Sequence, residues 1–358
     1  MNKTTTASRD RNVGLDLFRI SLALLIFMFH SNMHFKCNYG ILEHFVRYGA
    51  IAMTAFFMLS GYALSLSNKD VLTDIESFRN YLLKRFVSVY PLYYFVAFVF
   101  VVLMGSESFQ ALAILFPFEM LGLQSCFSTL TPISHNGGTW FVSCLTICYL
   151  LYPFLQWIIA RLKIKGKVIL GGAFLFLLLI APLVQRHFLL ASIYDNPFFR
   201  VMEFSLGIIV ASVNNDMLER KIPYFISSKV VLVASILLLF SGVSVVSSLL
   251  TGPRDYMLMN WVALPCFILI FLILGNVRFD TVADNRLVTS LSALSYAFFL
   301  SQFFVWSLSY HIINSWIGIN TNIMRIIVSF TICVGISIFL HECVEKTSSR
   351  FLRAKLLK

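Results

Sequence analysis

The chain has 358 residues, of which 58% are hydrophobic and 13% charged, and its formal net charge is +11. A soluble globular domain carries about 25% charged residues, so the composition excludes that class and implies a polytopic membrane protein. The positive charge does not call for nucleic acid, because the cytoplasmic loops of membrane proteins collect Lys and Arg.

In chain order, residues 1–12 (MNKTTTASRDRN) read as a short cytoplasmic tail, since no small-residue cleavage site of a signal peptide follows them. Apolar runs near the ~20 residues that cross a bilayer then recur to the end. They predict an all-α integral membrane bundle of about ten transmembrane helices, near 13–34, 47–67, 86–105, 139–160, 167–185, 198–213, 229–250, 258–275, 290–313 and 322–343. The stretch FQALAILFPFEMLGL (109–123) is interrupted by Pro117 and Glu119 and is short for a span, so it reads as re-entrant or interfacial. One membrane domain therefore occupies 13–343, followed by a basic cytoplasmic tail at 344–358. With alternate loops taken as inside, 21 of the 28 Lys and Arg fall on the side of the two tails and five on the other. That asymmetry predicts both termini in the cytoplasm. The seven cysteines show no C-x-x-C spacing, and no metal site is expected. Cys37 and Cys126 fall in loops on the outer side, where an oxidising compartment would let them pair.

Ionisable groups inside spans are costly in lipid and must face a cavity or a partner. The first span, GLDLFRISLALLIFMFHSN, holds Asp16, Arg19 and His30. Arg19 and His30 are eleven residues apart, about three turns, so they share a face with ~16 Å of axial separation. Asp16, one turn before Arg19, is placed to partner it. Two readings are open: a snorkelling Arg and a helix-bonding His, or a phosphate-binding Arg with a His general base at the far end. The second span carries Ser60-Gly61, which suits close helix packing. Lys84 and Arg85 precede the next span, either as headgroup anchors or as a phosphate clamp. Trp140 opens the span after a glycine turn, and Arg200 and Glu203 are spaced to pair on one helical face. Gln302 is the main polar group deep in the ninth span. These residues describe a polar path, basic at one end with a His at the other, and name no reaction.

The ordered motifs resemble the membrane acyltransferase family 3, whose members include bacterial O-acetyltransferases of surface polysaccharides. The resemblance rests on Asp16-x-x-Arg19, ten residues and then His30, and on Phe56-Phe57-Met58-Leu59-Ser60-Gly61-Tyr62. It continues through Lys84, Arg85 and Pro91, then Trp140, Tyr149 and Pro153, then Arg200, Glu203, Phe204 and Gly207. Ser295-Tyr296 and the closing Glu342-x-x-Glu345-Lys346 complete it. Four positions depart from the family pattern: Ser88 replaces a second arginine, Leu145 a glutamate, Gln302 a histidine and Thr347 a proline.

The resemblance implies transfer of an acyl group, usually acetyl from acetyl-CoA, to a hydroxyl of a cell-surface polysaccharide or lipid-linked glycan at a bacterial cytoplasmic membrane. Arg19, Lys84 and Arg85 would receive the donor phosphates, and His30 would act as base. Arg19 and Glu203 join His30 as catalytic expectations. Asp16, Ser60, Gly61, Trp140, Arg200, Tyr296 and Gln302 would contact substrate or hold the site. The loop 106–138 would form an acceptor lid. No bound cofactor is implied, acyl-CoA being a substrate. The alternatives are succinyl transfer within the same family, a transporter or flippase of lipid-linked sugars, and a membrane scaffold whose polar residues only join helices.

Overall fold

The computed structural model describes residues 12–68, 74–104, 109–127, 130, 139–188, 192–220, 229–250, 256–276, 285–318 and 320–356. The expected N-terminal tail before residue 12 and most of the proposed lid beyond residue 130 lie outside them. The described residues are helical and contain no strand. In chain order the helices are α1 (Val13–Phe35), α2 (Glu43–Val46), α3 (Ile51–Ser67), α4 (Ile75–Met104), α5 (Phe109–Leu121), α6 (Thr139–Arg161) and α7 (Ile164–Phe188). There follow α8 (Pro197–Glu219), α9 (Lys229–Leu249), α10 (Asn260–Leu274), α11 (Asn285–Ile312), α12 (Asn322–Phe339) and α13 (Lys346–Leu356).

The chain is a multi-pass membrane protein, but the expected ten spans are not reached by length and apolarity. Among the described residues seven helices meet that test, or eight if Gly40–Val46 and Ile51–Ser67, bent by 61°, make one span. One of the expected spans falls short for a physical reason: helix α10 has 15 residues, about 22 Å of rise, and is packed inside the bundle rather than against lipid. Helix α11, 28 residues long, covers most of the expected 290–313 and buries Ser292, Ser301, Gln302 and Ser309. Burial separates inner from outer helices. The hydrophobic window of α8 is 67% buried and that of α7 only 17%. Large apolar side chains such as Ile169, Phe176, Val230, Ile323 and Phe339 remain exposed for the bilayer to cover.

Helices α3 and α8 form the centre, and two glycines set their distance. A Cβ on Gly61 would stand 2.0 Å from the Phe204 carbonyl oxygen, and one on Gly207 would stand 1.9 Å from that of Met58. The backbones therefore touch, as small residues permit between helices in a membrane. The Ser60-Gly61 motif and the Arg200-to-Gly207 block are two sides of one interface.

Helix ends are satisfied by specific partners. Asn12 caps α1 through Leu15 N–H (3.1 Å) and donates to the Leu274 carbonyl at the end of α10 (2.6 Å). At the other end Arg325 donates to the Phe35 carbonyl (2.9 Å), and Asn322 exchanges hydrogen bonds with the backbone of Asn38. Thus α1, which carries both Arg19 and His30, is held at each end. Asp74 caps α4, and hydrogen bonds from the Ser77 hydroxyl and backbone hold its carboxyl below the usual range. The 13-residue α5 is too short to cross, as expected for 109–123. Its last carbonyls would lack partners, and Tyr90, Tyr93 and Tyr94 of α4 donate to Leu121, Glu119 and Met120. All seven cysteines are free, so Cys37 and Cys126 are unpaired with each other.

Gly207→Ala is expected to cost at least ~1–3 kcal/mol of stability by overpacking the α3–α8 contact. Gly172→Ala, where a Cβ meets nothing within 4 Å, serves as its control. Thermal melting of the detergent-solubilised protein checks the pair: equal melting temperatures would refute the contact.

Candidate active site

Among the described residues three cavities border α1: one at Arg19, one at His30, and a smaller, apolar one of about 100 Å³ against Ile20, Ala23 and Leu24. The Arg19 cavity has a volume of about 280 Å³ and is lined by Arg19, Ser60, Ser88, Leu145, Tyr149, Ser292, Ser295, Tyr296 and Glu345, with Met53, Phe56, Phe141 and Phe299 toward its apolar end. Ser292 of α11 organises the charges at its edge. Its hydroxyl donates to Asp16 (2.7 Å) and lies 3.5 Å from Arg19 Nη1. Tyr296 donates to the Val89 carbonyl (2.9 Å) and so joins α11 to α4. Ser60 opens onto the cavity while bonding its own helix at the Phe56 carbonyl (2.8 Å).

Lys84 and Arg85 are not part of that lining. Lys84 is exposed. Arg85 lies behind Tyr149, its guanidinium 5.9 Å from the rings of both Tyr81 and Tyr149. Glu345 is brought to the cavity by a widened π turn at Leu340–Glu345, where its carboxylate meets His341 Nδ1 at 2.7 Å.

The His30 cavity measures about 250 Å³ and is lined by His30, His34, Phe29, Trp140, Tyr194 and Tyr256, with Ile26, Met33, Met53 and Phe299. His30 Nδ1 lies 2.7 Å from Gln302 Oε1. A carboxamide oxygen only accepts, so Nδ1 carries the proton and Nε2 the lone pair that a general base needs. His34 follows one turn later, its ring 5.8 Å from that of His30 and stacked on Trp306 at 6.2 Å.

Arg200 and Glu203, both 0% exposed, stand behind this cavity rather than in its lining. Arg200 Nη1 meets Glu203 Oε2 at 2.6 Å. The other carboxylate oxygen accepts from the Thr54 hydroxyl (2.9 Å) and from Asn260 (3.5 Å). Arg200 also donates to the Tyr194 carbonyl (2.7 Å) and lies 4.7 Å from the Tyr194 ring and 5.3 Å from that of Trp140. The pair therefore reaches the cavity through its aromatic wall: Trp140 and Tyr194 face the space, and Arg200 holds them from behind.

The family model described as an acyltransferase domain matches residues 12–342. The chain belongs to the acyltransferase family 3. Acyltransferase MdmB of Streptomyces mycarofaciens is 25% identical over 215 residues, which is 54% of each chain, so the match spans about half the length of that relative. No solved structure matches. The matched region contains the lining of both cavities except Glu345, and the chain brings Arg19, Ser60 and Tyr296 to one, with Asp16 bonded to Ser292 at its edge, and His30 and Trp140 to the other, with Gln302 beside His30.

His34, Tyr194 and Tyr256 were not anticipated, and Glu345 was named only as part of the closing motif, without a place in a cavity. The spacing of His30 and His34, one turn apart, was the signal available for the second histidine. The two tyrosines come from separate connections and carry no local signal.

Glu203→Gln is expected to destabilise the protein by about 3–5 kcal/mol, because it leaves the Arg200 charge buried without a counter-charge. A melting temperature equal to that of the wild type would show that the pair is not needed to hold the wall.

Proposed function

We propose that this protein is an integral-membrane O-acyltransferase that moves an acyl group, in the simplest case acetyl, from cytoplasmic acyl-CoA to a hydroxyl of a cell-surface polysaccharide or lipid-linked glycan. The observation that carries the reading is the pair of cavities on one helix, Arg19 in one and the His30–Gln302 pair in the other, adjoining at Met53 and Phe299. The excess of Lys and Arg on the side of the tails supports a cytoplasmic Arg19 end. A bacterial cytoplasmic membrane fits this orientation, with the glycan at the outer face.

In this reading the donor enters from the Arg19 end, its phosphates drawn by Arg19 and by the exposed Lys84, with Arg85 behind Tyr149. The acceptor hydroxyl enters the His30 cavity. His30 Nε2 takes the hydroxyl proton as the oxygen attacks the thioester carbonyl carbon. The tetrahedral intermediate collapses, the C–S bond breaks, and the proton passes from His30 to the departing thiolate, giving an ester and free CoA thiol. Gln302 keeps Nδ1 protonated throughout. Trp140, Tyr194 and Tyr256 offer flat apolar faces and hydroxyls of the kind that hold a sugar ring, and the buried Arg200–Glu203 pair positions two of them. This assigns Glu203 a positioning role rather than contact with the reacting atoms.

The test is transfer of label from acetyl-CoA to glycan by the purified protein in lipid nanodiscs. His30→Ala is expected to remain folded and to lose ~10²–10⁴-fold of that transfer. Gln302→Leu is expected to lower kcat by a smaller factor, because the ring remains while its tautomer is no longer set. Folded protein that labels no hydroxyl of any glycan offered overturns the reading. Vesicle uptake of a lipid-linked sugar without acylation would establish transport instead.

A further inference from the structure

The two cavities have Met53 of α3 and Phe299 of α11 in common, and these side chains separate them. Both are close-packed, with 1% and 6% exposure. Phe299 rests edge-on against Phe141 at 5.2 Å, and Phe56 and Leu145 extend the same surface into the Arg19 cavity. At the shared boundary the lining is thus thioether, phenyl and aliphatic carbon, while Ser60, Ser295 and Tyr296 also line the Arg19 cavity.

We infer that Met53 and Phe299 form the seat of the transferred acyl group and restrict it to short, uncharged acyls. The inference rests on the donor reading above and adds the chemical class of the group transferred. For a hydroxyl held at His30 to meet a thioester arriving from the Arg19 cavity, the carbonyl carbon must sit where the cavities adjoin. The acyl tail then lies against Met53 and Phe299. A methyl or ethyl group gains apolar contact there. The terminal carboxylate of a succinyl group would lose its water against Met53 and Phe299, whose side chains donate no hydrogen bond to it, an unfavourable transfer. A long chain would have to displace side chains that are already close-packed, which interiors resist. This selection distinguishes acetyl or propionyl from succinyl transfer by physical means.

Binding measured on the full-length protein in nanodiscs tests this without knowledge of the acceptor. The probes are CoA, acetyl-CoA, propionyl-CoA, succinyl-CoA and octanoyl-CoA. Acetyl- and propionyl-CoA are expected to bind more tightly than CoA, and succinyl-CoA no more tightly than CoA. In Phe299→Ala, and separately in Met53→Ala, the ratio of octanoyl-CoA to acetyl-CoA affinity is expected to rise about tenfold, the scale on which apolar pockets discriminate chain length. Two variants on different helices keep the test open if one fails to fold. Succinyl-CoA binding as tightly as acetyl-CoA, or an unchanged ratio in a folded variant, overturns the inference and leaves the donor reading standing. Absence of binding by CoA and every acyl-CoA overturns the donor reading itself.

Discussion

The contact between α3 and α8 is the constraint from which the rest of the structure follows. At Gly61 and Gly207 the two backbones touch, so neither position has room for a side chain. A few residues away along the same seam, Thr54 of α3 joins the buried Arg200–Glu203 pair of α8. The hydrocarbon core of a bilayer offers no hydrogen bonds, so polar groups at that depth are stabilised by partners within the protein. The seam supplies these partners, with Asn260 of α10 as a further donor. One face of α3 is used in this way. Met53 and Ser60 are left to line the cavities.

From that centre the two cavities are assembled by helices distant in sequence. Helix α1 is clamped at both ends and offers Arg19 and His30 along its length. Helix α11 runs beside it and repeats the arrangement with neutral groups: Ser292 at the Arg19 end, Phe299 between the cavities, and Gln302 at His30. Its serines and glutamine serve α1 and α12 rather than lipid. The same logic applies to Arg200, whose charge is hidden from lipid by rings that in turn form the cavity wall.

Much of the fold was legible because lipid penalises polar surface strongly. Long apolar runs revealed helices α1, α6, α7 and α9 with little ambiguity. The inner helix α10 has only 15 residues and is enclosed by its neighbours, and there span counting by length fails. Of the site, Arg19 and His30 stood out because nothing in a lipid-facing helix accounts for them. Glu203 stood out equally, but its spacing from Arg200 could not reveal that both would lie behind the cavity. Gln302 was noted for departing from the family pattern, and its amide meets His30 Nδ1. Lys84 and Arg85, adjacent in sequence, are split by the helix surface: one is exposed and the other is turned toward Tyr149.

The sequence by itself determined the membrane class, the family, and the placing of Arg19 and His30 on one face of the first helix, because hydropathy and helical period are local properties. Only the tertiary structure decided that two cavities adjoin at Met53 and Phe299, that Gly61 meets α8 and Gly207 meets α3, and that Arg200 stands behind Trp140 and Tyr194. Each of these depends on which helix faces which. Helical period fixes which residues share a face of one helix, whereas these contacts join helices far apart in the sequence.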